Sequence, residues 1–187
     1  FIHTSHTETP FKSLDIPLAA WAAVGPIPSN IDLNKSRQIN LQDIPLFKIP
    51  PWLGVDRALS SWGALQKAKK HSSMFKKGIL IADAGTVLSI TKISAKGEFE
   101  GGQLSAGLDL QLKAMSKGTE NLAYPSIKTF PSLFFPTSTT DAMLQGCLQS
   151  LIGTVLEAQA KADVPVWLCG GDSALIYKAL IKKKYRS

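Results

Sequence analysis

Two short apolar runs, residues 78–82 and 86–93, are rich in Ile, Leu, Val and Thr and flank a polar turn, Asp83-Ala84-Gly85-Thr86. Such runs predict two β-strands joined by a tight connection. Downstream of a Pro- and Gly-marked loop (Phe47-Lys48-Ile49-Pro50-Pro51-Trp52-Leu53-Gly54), Leu59, Trp62 and Leu65 recur at helical spacing, and Lys67, Lys69 and Lys70 follow. That pattern predicts a helix over 56–70, its cations placed where the helix dipole favours them. Met143, Cys147, Leu148, Leu151, Ile152, Val155 and Leu156 form a broad apolar face and predict a long helix over 141–162, capped by Thr139 or Thr140. A strand over 164–169 then leads through Gly170-Gly171 into a helix over 172–183. Between these lie an expected turn at 98–102, a helix over 105–117 and a loop-rich stretch, 121–138, broken by Pro125, Pro131 and Pro136. An apolar run at 18–24 reads as an earlier buried strand. Strands alternating with helices indicate an α/β fold.

The polar residues at the junctions carry the candidate chemistry. Asp83 places a carboxylate at the end of a buried strand, where it suits a cation. Gly85 permits an unusual backbone conformation or a close ligand approach, and neighbouring N–H groups with the Thr86 hydroxyl suit a phosphate. An ordinary hairpin turn would use the same residues. Asp56, at a helix start, can serve as a general base or simply as a cap. Arg57 offers a planar fork for a carboxylate or phosphate. Transfer of a γ-phosphoryl group to an alcohol requires parts of this kind.

Taken together and in order, the motifs resemble those of the type III pantothenate kinases. Gly54-Val55-Asp56-Arg57 resembles the family's Gly-x-Asp-Arg loop, and Asp83-Ala84-Gly85-Thr86 its Asp-x-Gly-Thr. The segment Gly101-Gly102-Gln103-Leu104-Ser105-Ala106-Gly107-Leu108 resembles Gly-Gly-x-Ile-x-Pro-Gly-Leu, with Ala106 in place of proline. Thr139-Thr140-Asp141-Ala142-Met143-Leu144-Gln145-Gly146 resembles Thr-x-x-Ala-Ile-x-x-Gly, and Gly170-Gly171-Asp172 closes the series.

The resemblance implies an actin-like ATPase fold of two ribonuclease-H-like halves, with 1–80 the remainder of the first half and 81–187 the second. The family's opening Asp-x-Gly-Asn-Thr/Ser phosphate loop has no counterpart, so the first half is expected to be incomplete in this chain. The implied activity is ATP-dependent phosphorylation of pantothenate, the opening step of coenzyme A synthesis. Asp56 would activate the pantothenate hydroxyl, and Phe47, Gly54, Val55, Asp56, Arg57 and Thr139 would bind pantothenate. Thr86 would touch ATP, with its Mg2+, and Asp83 would hold a monovalent cation, K+ or NH4+. A homodimer is implied as well. Two alternatives stay open: a non-catalytic or regulatory relative on the same fold, and a different phosphotransferase or phosphatase. The Gly54–Arg57 motif favours the kinase over the last of these, because it matches the substrate side.

Composition narrows the class. The chain has 187 residues, 44% of them hydrophobic, enough to bury a core within one or two domains. It contains no apolar run of the ~18 residues that a membrane span needs, and a soluble, cytoplasmic protein is expected. The two cysteines, Cys147 and Cys169, read as reduced core residues, and the three histidines, His3, His6 and His71, lack ligand spacing. The net charge of +7 gathers at 67–77 and 178–186, without any nucleic-acid-binding motif. Nucleic acid is therefore not an expected partner, and the positive potential suits anionic ligands such as ATP.

Overall fold

The computed structural model describes residues 19–25, 33–70, 76–126 and 130–184. His3, His6, His71, Leu18 and Arg186 lie outside the described residues. A sheet of β1 (Ile79–Ala84), β2 (Val87–Ile93), β3 (Phe99–Ala106) and β4 (Val166–Cys169) is ordered β3-β2-β1-β4. The β1–β2 and β2–β3 pairs are antiparallel, and β4 runs parallel to β1. The helices are α1 (Val55–Lys70), α2 (Leu108–Gly118), α3 (Thr139–Ala162) and α4 (Ser173–Lys184).

Strand alternation sorts the core into two layers. Leu80, Ala82, Ala84, Leu88 and Ile90 point to one face and pack with Leu112 of α2, Met143, Leu144, Cys147, Leu151 and Val155 of α3, and Ile176 of α4. Ile79, Ile81 and Ile93 point to the other and pack with α1 and the Ile44–Leu53 loop. Helix α1 presents Ala58, Ser61, Leu65 and Ala68 to the sheet, so small residues let it lie close, with Leu59 and Trp62 packed at the flanks of that stripe. Asp83 shares the α1 face with Ile79 and Ile81, because all are odd-numbered positions of one strand.

Several expectations need correction. The segment 98–102 is not a turn but opens β3; the turn lies at 94–97, where the Gly97 N–H donates to the Ser94 carbonyl at 2.9 Å. Helix α2 starts only at Leu108, because Ser105 and Ala106 still pair with Leu88 and Val87. The run at 18–24 is no buried strand: within it Trp21 makes a single bridge, to Gln38, and Val24 is 65% exposed. Ser138, rather than either threonine, caps α3, accepting from the Asp141 N–H at 3.2 Å.

Candidate active site

The N-terminus of α1 delivers Asp56 and Arg57 to the open end of the sheet. The Ala58 N–H donates to the Gly54 carbonyl at 3.1 Å, so Gly54 occupies the cap position and Asp56 lies inside the first turn. Asp56 Oδ1 accepts from the Arg57 N–H at 2.8 Å, and a Cβ on residue 54 would stand 2.5 Å from that oxygen. A first-turn N–H thus occupies one carboxylate oxygen of an exposed side chain. Arg57 turns inward, where Nη2 donates to Thr91 Oγ1 at 3.1 Å and Nε is buried without a partner. Burial lowers the guanidinium pKa, and the Asp56 charge opposes that shift.

Asp83 sits beside them. Burial raises its pKa, the Cys169 thiol donates to the carboxylate and lowers it, and the charge of Asp56 raises it again. The same neighbourhood pushes the Cys169 thiol up to about 12, through burial first and then the Asp83 charge. Gly170 closes over the carboxylate: its φ is +88°, and a Cβ there would lie 2.5 Å from both Asp83 Oδ1 and the Ala84 carbonyl.

The β1–β2 turn is the meeting point of segments far apart in the chain. The Gly107 N–H donates to the Thr86 carbonyl and the Asp172 N–H to the Ala84 carbonyl, each at 2.9 Å. A Cβ on Gly107 would fall 2.0 Å from the Gly85 carbonyl, so only glycine lets β3 leave the sheet there. Helices α2 and α4 both begin beside this turn. Gly85 itself has no positive φ, and a methyl on its Cα would meet nothing within 4 Å, so conformational freedom does not explain it. Its N–H is not free either, since it donates to the Val87 carbonyl at 3.2 Å. What remains of the expectation is an open approach beside the exposed Thr86. Asp172 is half-buried, and burial together with the Asp109 charge raises its pKa.

Two expected site residues lie elsewhere. Phe47 is 61% exposed and pairs through its backbone with Gly97 and Phe99, at 2.8 and 2.9 Å. Gly97 abuts Leu65, roughly two and a half turns of α1 beyond Asp56. Thr139 is exposed at the start of α3, on the opposite face of the sheet from α1. Val55 opens α1 next to Gly54. The site also takes in Thr91, Gly107, Cys169 and Gly170, none of which the sequence marks as a site residue. Gly107 and Gly170 appear there only as members of glycine motifs, Cys169 only as a core cysteine, and nothing in the sequence singles out Thr91.

A family model for type III pantothenate kinase matches residues 38–161. The chain belongs to the type III pantothenate kinase family. It is 32% identical over 171 residues to the type III pantothenate kinase of Thermosynechococcus vestitus, covering 87% of this chain and 64% of that protein. It is 31% identical over 151 residues to that of a Nostoc species, covering 77% and 52%. The chain thus spans about half to two-thirds of the length of these curated relatives. A Campylobacter jejuni protein described as a Baf family transcriptional activator has a similar fold, with a TM-score of 0.50 at 23% identity, covering 76% of this chain and 62% of that one.

The residues around Asp83 leave room for a cation. A half-buried carboxylate lies near a second one, and among the described residues no Lys or Arg forms an ion pair with it. Hard oxygen donors of this kind select hard cations. Among the described residues no three His, Cys, Asp or Glu side chains cluster as a metal site, and no helix is long and apolar enough to cross a membrane.

Proposed function

We propose that the protein phosphorylates pantothenate with MgATP, the reaction for which its family is named. The observation that carries this reading is that Arg57, next to Asp56 at the start of α1, reaches Thr91, whose β1 partner Ile81 lies two residues before Asp83 on the same face, beside the open Gly85–Thr86 turn. Asp56 accepts the proton of the primary hydroxyl as its oxygen attacks the γ-phosphorus and ADP departs. Gly54 and Val55 line that pocket, and the Arg57 fork binds the substrate carboxylate. Thr86 contacts the nucleotide. A K+ or NH4+ ion on Asp83 supplies positive charge against the phosphates.

The two-half actin-like arrangement, with 1–80 and 81–187 as its parts, is part of this proposal; the mixed β3-β2-β1-β4 sheet, which begins at Ile79, stands for the second half. So is a homodimer. Thr139 and Asp56 occupy opposite faces of the sheet, an arrangement in which a second copy could bring Thr139 to pantothenate. Phe47 retains its proposed substrate contact as an exposed ring. The test is direct: the complete protein, given pantothenate, ATP and Mg2+, forms 4'-phosphopantothenate and ADP in equal amounts. A folded preparation that binds ATP and never phosphorylates pantothenate defeats the reading.

A further inference from the structure

We infer that Thr91 and Gly102 form the seat that orients the Arg57 guanidinium, which makes Thr91 a positioning residue for substrate binding. The inference rests on the proposed role of Arg57 as the substrate fork. Thr91 and Gly102 are direct cross-strand partners on β2 and β3, facing α1. Thr91 is 2% exposed, and its hydroxyl accepts from Arg57 Nη2 at 3.1 Å. Among the described residues this is the only side-chain hydrogen bond of the guanidinium. Gly102 clears the space beside it: a Cβ there would stand 2.8 Å from Nη2 and 2.2 Å from the Ile90 carbonyl.

Helix stability does not account for Arg57. A cation in the first turn of a helix opposes the dipole, and burial of a guanidinium costs solvation. The seat holds it there nonetheless, with a neutral hydroxyl in place of a carboxylate, so the positive charge stays available to an incoming anion. A carboxylate at position 91 would neutralise it. A missing hydroxyl would leave the fork without a fixed plane, and bidentate recognition depends on that plane.

Thr91→Val keeps the β-branched shape and removes the acceptor, whereas Thr91→Ser keeps the acceptor. In the complete protein, Thr91→Val should raise the pantothenate KM about tenfold, as expected for one hydrogen bond to a charged group, while kcat changes much less. Thr91→Ser should recover most of the loss, and Thr91→Val should add little in an Arg57→Ala background. Equal behaviour of the Val and Ser variants, or an undiminished Val effect in that background, overturns the inference. A urea-unfolding cycle over Arg57→Ala and Thr91→Val gives a readout without substrate: coupling between the two supports the seat, and additivity refutes it. If the parent protein neither binds nor phosphorylates pantothenate, the functional reading fails and the unfolding cycle alone decides whether the seat exists.

Discussion

Cys169 and Asp83 face each other across the parallel β1–β4 pair, and the thiol donates to the carboxylate. A half-buried carboxylate with a thiol beside it, Asp56 repelling it and no ion-paired Lys or Arg among the described residues is poorly compensated. A bound cation would relieve that situation. Asp83→Ala should therefore abolish activation by K+ or NH4+ together with most activity. Potassium activation that survives in this variant would reduce Asp83 to a residue of the turn.

The same imbalance has a pH signature. Burial raises the folded-state pKa of Asp83 above its unfolded value. Below the ordinary carboxylate pKa, both states hold the proton and there is no penalty. As pH rises from that value through the raised one, the unfolded state releases its proton first, so stability falls and stays lower above it. Asp83→Asn should raise the melting temperature at neutral pH in the absence of potassium, and the gain should shrink in acid or with potassium added. Thermal melts across pH, with and without KCl, measure this. A gain of equal size at every pH would exclude it.

Asp56 allows capping and catalysis to be separated. Asn keeps an oxygen for the Arg57 N–H and loses the basic carboxylate. Asp56→Asn should lower kcat by about 100-fold or more with little change in urea midpoint. Activity within a few-fold of the parent would leave Asp56 as a helix-start residue only.

Helices α1 and α3 are legible in the sequence because their apolar periodicity is long, and the β1–β2 pair because both strands are buried. Strand β3 is not, since it is an edge strand with Leu104 63% exposed and a Gly101-Gly102 pair that imitates a turn. The run around Trp21 is apolar in sequence yet largely exposed, so composition alone misplaces it. In the site, Asp56 and Asp83 stand out as motif residues. Thr91 does not, because its partner is Arg57, 34 positions away, and only the β2–α1 packing joins them. Cys169 reads as a core cysteine because nothing local marks its register with Asp83.

Gly170 should resist substitution. Its φ of +88° and the 2.5 Å approach of a Cβ to Asp83 Oδ1 and the Ala84 carbonyl combine backbone strain with a collision. Gly170→Ala should destabilise the protein by at least about 1–3 kcal/mol and shift the potassium dependence, because Asp83 must move. Urea unfolding gives the first quantity and titration with KCl the second. A neutral substitution would mean that the Gly170 backbone does not hold Asp83.

Gly85 makes the opposite case, and the contrast tests the nucleotide side of the site. Its φ is not positive and a methyl there would meet nothing within 4 Å, so the fold gives no reason for glycine. If the approach beside Thr86 is where phosphate oxygens come close, a methyl obstructs the ligand and spares the protein. Gly85→Ala should leave the urea midpoint within about 0.5 kcal/mol of the parent and raise the ATP KM about tenfold, a misfit of roughly 1.4 kcal/mol. The pantothenate KM should move far less. Thr86→Val should weaken ATP in the same sense by removing a hydroxyl contact, again without unfolding the chain. An unchanged ATP KM in both variants would take the nucleotide away from this turn.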